Sequence, residues 1–382
     1  LFASCCRMPR TRRQSALRRW TILNPKPPRA VPTEESHCMA TPLTDFTRYS
    51  DAMSEFSKER LWSLFDGDRE SLNVTHECVD RHRDKGEAVR IAHADGRDEV
   101  ISFADLSDQS SRIANWLVRT GITKGDRVAI MLEPSLAFYA TLFGAMKSGA
   151  VAVPLFTLFG PEGLRQRVAD CEPSVLVVAN NKLEMAKATD TPTVLTGEQL
   201  LHQASDADAH FAPTTSADDM ALFQYTSGTT REMPEAVKHR HRTVVTVAVA
   251  ALYATGVRPT DRFMCPSSPA WGHGLAHGTL GPLGLGASIA SYAGPFDAAR
   301  LLKAIADYRI NNLSAAATHY RMMRGSGLAD NFNYAIEKLS FTGEPLDKTT
   351  AQWAKEQFGA PACSIYGTTE VGVILAQYPG AE

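Results

Sequence analysis

At 382 residues the chain is too long for one compact core, so two or more subdomains are expected. A hydrophobic fraction of 44% with 21% charged residues excludes a disordered protein, and 40 basic against 42 acidic residues, a formal net charge of −2, leaves no nucleic-acid footprint. No apolar run approaches the roughly 18 to 20 residues of a membrane span. The seven cysteines, scattered apart from Cys5 and Cys6 and without a CxxC spacing, read as reduced thiols of a cytoplasmic protein.

Residues 1–38 stand apart. Eight basic residues, from Arg7 to Arg29, precede the first acid, Glu34, and Pro25, Pro27, Pro28 and Pro32 forbid a long helix. Such an Arg-rich, acid-poor stretch reads as a mitochondrial targeting signal or, since "MATPLTDF" from Met39 resembles a natural start, as an upstream translated extension; the second reading is preferred. From Met39 the pattern alternates. "ISFADLSDQSSRIANWLVRTG" carries Leu106, Ile113, Trp116 and Leu117 at helical spacing and stops at Gly121. "DRVAIML" predicts a strand, "PSLAFYATLFGAMKSG" a helix between Pro134 and Gly149, "AVAVPL" a strand, "PEGLRQRVADC" a helix and "SVLVVAN" a strand. Strands alternating with helices imply crossover units and a mainly parallel sheet. The polar, acidic residues 203–219 read as a connection, dividing a first αβ half (39–215) from a second (216–382). In the second half "DMALFQY" predicts a strand, "TVVTVAVAALYATG" and "AARLLKAIADYRI" helices, and "KLSFTG" a strand.

Directly after "DMALFQY" comes a run of hydroxyls around one glycine: Thr226, Ser227, Gly228, Thr229 and Thr230. A glycine-containing loop between strand and helix offers inward-pointing amides to a phosphate, at the strand end where open α/β sheets collect ligands. The same residue types also make plain surface turns, and the run alone does not separate the two. No GxxxxGK[ST] occurs, which disfavours a Walker-type NTPase. His239 and His241 lack a third ligand at zinc-like spacing, so hydrogen bonding is preferred to metal binding. Taken singly, Trp271 reads as a core aromatic and Glu344 and Glu370 as surface acids.

Two later stretches change that balance. "YTSGTT", "FTGEPL" (341–346) and "YGTTEVG" (366–372), in this order and spacing, resemble the adenylate-forming superfamily of acyl-CoA synthetases, luciferases and peptide-synthetase adenylation domains, over about residues 50–382. The resemblance implies an α/β fold of two subdomains with mainly parallel sheets, the superfamily's large domain. It implies that Thr226, Ser227, Gly228, Thr229 and Thr230 hold the phosphates of ATP. Gly343, Glu344 and Pro345 then pack on adenine; Ser364, Ile365, Tyr366, Gly367, Thr368 and Thr369 end that site, with Thr369 at the α-phosphate. Glu370 matches a carboxylate that binds Mg²⁺, a hard cation that pairs with phosphate oxygens and one or two carboxylates. Thr226, Thr369 and Glu370 are thereby the expected catalytic residues. "AWGHGLAHGTLGPLGLGAS" resembles the acyl-site segment, placing Trp271 and His273 near substrate in a Gly-rich loop, and "ATHYRMM" places Thr318 and Arg321 after it.

The chain also departs from the pattern. The family loop continues Gly, any residue, Pro, Lys; here Arg231, Glu232, Met233, Pro234 and Glu235 follow, one residue longer, with Arg231 and Lys238 available to restore positive charge. The family's ribose-binding aspartate, hinge and small C-terminal domain with its catalytic lysine lie beyond Glu382, so the expectation is a large domain only, a piece of a longer protein or the product of an incomplete gene. Acetate- and propionate-using members carry tryptophan at the position of Gly367. Glycine there is expected to leave volume open, walled by Trp271, Tyr320 and the small residues of "GHGLAHG", for a medium-chain or aromatic acid. The implied function is ATP-dependent activation of a carboxylic acid to an acyl-adenylate and transfer to coenzyme A; loading of a carrier protein, or a non-catalytic nucleotide-binding remnant, are the alternatives.

Overall fold

Among the described residues, 41–226 and 235–379, the computed structural model has fourteen strands. They are Glu87–His93 (β1), Asp98–Ser102 (β2), Arg127–Met131 (β3), Val151–Pro154 (β4), Val175–Val178 (β5), Thr193–Thr196 (β6) and Met220–Gln224 (β7), then Val237–Arg240 (β8), Arg262–Met264 (β9), Ser288–Ala293 (β10), Asn312–Ala316 (β11), Lys338–Thr342 (β12), Ala362–Thr368 (β13) and Gly372–Ala376 (β14). The extension 1–38 lies outside the described residues.

Six strands form one sheet in the order β6-β5-β3-β4-β7-β8, and eight form another in the order β14-β13-β12-β11-β9-β10-β1-β2. Neighbours run parallel except at three edges, where β8 on β7, β2 on β1 and β14 on β13 are antiparallel. β4 and β5 are apolar and buried throughout because helices cover both faces. The helix Phe103–Arg119 is capped by Ser102, whose hydroxyl accepts from the Asp105 N–H at 3.0 Å. The helix Leu136–Ser148, buried nearly all round, ends at Gly149 in the left-handed region, φ 88°. These two helices touch so closely that a β-carbon on Gly144 would lie 2.8 Å from Ile113 Cβ.

One apolar core contains residues of both sheets, among them Ile91, Val128, Leu222 and Phe263, so the sheets are buried against common side chains. The partition does not follow the boundary at 215/216: β1 and β2 join the later strands, while β7 and β8 complete the earlier sheet. β1 is an apolar run whose partner, β10, lies far along the chain, which local patterning does not record. The Gly-rich stretch expected to be a loop is instead a π-helix, His273–Leu280. Gly274 has no space for a side chain, since its β-carbon would fall 2.2 Å from the Ser268 carbonyl oxygen and 2.4 Å from that of Ser267.

Under the first sheet the Lys147 ammonium, 1% exposed, bonds Asp80 Oδ1 (2.7 Å), Ser111 Oγ (2.8 Å) and the Ser107 carbonyl (3.2 Å). Burial lowers its pKa and Asp80 opposes the shift. Lys147→Met leaves Asp80 without its cation and should cost about 3 kcal/mol of unfolding free energy, measured by urea titration.

Candidate active site

The strand ends converge. Gln224 closes β7, Thr342 closes β12 and leads into Gly343, and β13 runs into Thr369 and Glu370. All of these line one cleft of about 450 Å³, and Thr226 is not in its lining. Ligands of open α/β sheets gather at such carboxyl ends. Of the hydroxyl run, Ser227, Gly228, Thr229 and Thr230 lie outside the described residues, as do 231–234. On either side of them Asp170 Oδ2 accepts from the Tyr225 hydroxyl (2.6 Å) and the Ala236 N–H (3.3 Å), tying the flanks to the helix Pro161–Cys171.

On the β13 side, Gly367, Thr368, Thr369 and Glu370 face the cleft, as does Ile365. A hydrogen bond from the Thr368 hydroxyl, aided by the backbone and by His239, holds the Glu370 carboxyl below the usual carboxylate range. His239, on β8, is shifted down by burial and pulled back by Glu370. Ser364 faces elsewhere, its N–H bonded to Gln377 Oε1 at 2.8 Å, and Tyr366 is 61% exposed.

Gly343 adopts φ +92°, which a residue with a side chain resists. Beyond it Glu344 is engaged: the Thr318 hydroxyl donates to its carboxylate, Arg321 lies 2.5 Å away, and both lower its pKa, Thr318 more. Arg321 also donates to the Pro345 carbonyl (3.3 Å). Thr318, Glu344 and Pro345 thus form a brace behind Gly343 and do not line the cleft.

The π-helix supplies another wall. His273 Nδ1 pairs with Ser267 Oγ and Nε2 with Ser314 Oγ, both at 2.9 Å, and Ser314 accepts from Ser340 Oγ at 2.9 Å. Burial takes its pKa well below the usual histidine value. His273 is therefore a fixed, neutral ring with both nitrogens occupied, suited to shaping the wall and not to proton transfer. Trp271, next to Gly272, packs on Phe156, ring centroids 5.2 Å apart.

Two expectations about the acyl pocket are corrected. A β-carbon on Gly367 would meet the Gly372 carbonyl oxygen at 2.1 Å, because β14 folds back over β13 and pairs Gly367 with Val373. No open volume lies at that point. Tyr320 is fully buried in the core, its hydroxyl donating to the Ser340 carbonyl at 3.0 Å, and offers no wall. Sequence reasoning also passed over Gln224, a polar end to an apolar strand. It is 2% exposed, lines the cleft, and its amide nitrogen has no partner. Among the described residues no group of three or more His, Cys, Asp or Glu could hold a metal, and no helix is long and apolar enough to cross a membrane.

Two sheets sharing a core, with a cleft at their strand ends, define the class: the large domain of adenylate-forming enzymes. The chain belongs to the AMP-binding enzyme family, whose model matches residues 76–382. It is 27% identical to the acetyl-coenzyme A synthetase of Bacillus subtilis (strain 168), over 81% of this chain and 58% of the relative. It is 26% identical to that of Coprinopsis cinerea, over 81% and 53%. The solved structure of a Brucella canis acyl-CoA synthetase superposes with a TM-score of 0.82 at 28% identity, covering 88% of this chain and 65% of the other. The chain spans about half the length of the curated relatives it matches.

Gly272 separates site from scaffold. Its β-carbon would come 3.2 Å from Thr369 Oγ1 and 3.7 Å from Gln224 Oε1, against backbone carbonyls for Gly274. Gly272→Ala should displace the Thr369 hydroxyl by a few tenths of an ångström, seen in a crystal structure of the variant, with little change in melting temperature. Gly274→Ala should instead destabilise the fold by about 3 kcal/mol or more, seen in thermal denaturation.

Proposed function

We propose that this chain is the ATP- and acid-binding part of an AMP-forming acid–coenzyme A ligase. The acid's carboxylate attacks the α-phosphorus of ATP, pyrophosphate leaves, and an acyl-adenylate forms; the coenzyme A thiol then displaces AMP. The observation that carries the reading is the convergence of separate motifs on one cleft: the end of β7, Gly343 after β12, and Thr368 to Glu370 after β13. The family match and the acyl- and acetyl-CoA synthetase relatives support the same chemistry.

Charge is laid out for it. Lys238, Arg240 and Arg242 contribute to one wall and Glu370 stands on the cleft as an ionised carboxylate. A lone, solvated carboxylate fits Mg²⁺, whose remaining ligands are phosphate oxygens and water. Mg²⁺ held by Glu370 would neutralise the departing pyrophosphate. Thr369, beside Gln224, is positioned to donate to the α-phosphate. Val247, Leu275, Ala276 and Leu280 line the apolar part of the cleft and favour a medium-chain or aromatic acid over acetate. The described cysteines are all unpaired thiols, which suits a reducing, cytoplasmic setting.

The test is acid-dependent exchange of labelled pyrophosphate into ATP across a magnesium titration. Glu370→Gln should lower exchange by about 10² to 10³ and shift its magnesium dependence upward while the protein remains folded. Exchange that ignores both the acid and the substitution would remove the proposal.

A further inference from the structure

Eight buried side-chain nitrogen or oxygen atoms among the described residues have no hydrogen-bond partner. Most belong to the scaffold, such as His82 Nε2, His241 Nε2 and Asn312 Oδ1. Two belong to residues on the cleft: Gln224 Nε2 and His277 Nδ1. A buried polar atom left unpaired is costly, and native folds place such atoms where a ligand or water completes them.

The two occupy different parts of the cleft. Gln224 stands by Gly272 and Thr369, at the motif end. His277 lies one turn of the π-helix beyond His273, ring centroids 6.0 Å apart, on the wall that also presents Leu275, Ala276 and Leu280. His273 has both nitrogens satisfied by serines. His277, a residue of the cleft lining beside Leu275, Ala276 and Leu280, therefore carries a buried ring nitrogen with no partner. We infer that His277 is a specificity residue, and that the acid this site takes carries an uncharged hydroxyl or amino group on its tail, which hydrogen-bonds to His277 Nδ1.

Burial lowers the pKa of His277 to about 4, so the ring is neutral at physiological pH. A neutral imidazole has one N–H and one lone pair, so its tautomer can match either sense of bond with a hydroxyl or an amine. A bare hydrocarbon or phenyl tail would leave the nitrogen unpaired, and sites built around a buried polar group discriminate against analogues that lack its partner.

The inference rests on the acid-activation reading, and the experiment separates them. Acid-dependent pyrophosphate exchange and acid affinity by calorimetry would be compared for benzoate, its ortho-, meta- and para-hydroxy and amino derivatives, hexanoate and ω-hydroxyhexanoate. At least one substituted acid should exceed its parent by about tenfold in affinity or in kcat/KM. His277→Leu should abolish that preference while leaving the parent acid unchanged or better bound, and His277→Gln, which keeps a hydrogen-bonding end, should retain part of it. Parents and derivatives used equally, or a preference that survives in His277→Leu, would overturn the inference and leave acid activation standing. If the leucine variant fails to fold, His277→Phe takes its place, and a preference that survives in it overturns the inference equally. No response to any acid removes both.

Discussion

The two sheets meet at a residue that has no side chain. Gln224 ends β7 in the six-stranded sheet and Thr369 follows β13 in the eight-stranded sheet, and both approach the bare α-carbon of Gly272. A β-carbon there would press on the Thr369 hydroxyl, 3.2 Å away, and would only touch Gln224 Oε1 at 3.7 Å. The condition continues into the π-helix, where Gly274 rests on the carbonyls of Ser267 and Ser268 and a β-carbon on Gly278 would lie 2.9 Å from Cys265 Cβ. Gly274 and Gly278 thus let the helix pack closely on the segment that follows β9, and its His273 and His277 line the cleft. The wider turn of a π-helix, a rare local geometry that recurs at functional sites, is sustained here by close backbone approach. The cleft is thus a product of missing atoms as much as of present ones.

Charge within the cleft is graded. β8 carries Lys238, Arg240 and Arg242, and the two arginines share a single acid, Asp218, at 3.1 and 2.6 Å. Lys238 sits over the Phe223 ring at 5.2 Å, a cation–π placement that fixes the ammonium without neutralising it. On the π-helix the histidines are driven towards neutrality: burial lowers His273 and His277 alike. Positive charge is thus concentrated at β8, and the π-helix histidines on the cleft add none.

How much of this was legible in the sequence depended on whether the information was local. The helices Phe103–Arg119 and Leu136–Ser148 announced themselves through periodicity and their glycine stops, and the apolar runs of β3, β4 and β5 through length. β8 did not, because "VKHR" is a polar edge strand whose pairing with β7 is decided by a neighbour and not by its own composition. The division between sheets was hidden for a similar reason, since β1 finds β10 across nearly two hundred residues. Of the site, the motif positions Gly343, Gly367, Thr368, Thr369 and Glu370 line one cleft. Glu344 and Thr318 turned to each other, a choice set by Arg321 nearby. A glycine-rich string gives no periodic signal, so the π-helix and the exposure of His277 to the cleft required three dimensions.

Gly367 shows why a motif match does not transfer a volume. A glycine in place of a large residue suggests room, but room exists only if the surroundings stay where they were. Here Gly367 pairs with Val373, the Gly372 carbonyl occupies the direction its side chain would take, and Gly372 itself turns at φ +75° to bring β14 back. The glycine serves the hairpin. Tyr320, the other side chain that might have set pocket size, is consumed by the core and by its bond to the Ser340 carbonyl. The helix Ala317–Ser326 does not line the cleft; the hairpin residues 367–373 do, as does the π-helix. There the neighbouring side chains differ in kind: an inert, doubly bonded His273, apolar Leu275 and Leu280, and His277 with a nitrogen still unpaired. The π-helix thus mixes satisfied and unsatisfied polar groups with apolar ones along one wall of the cleft.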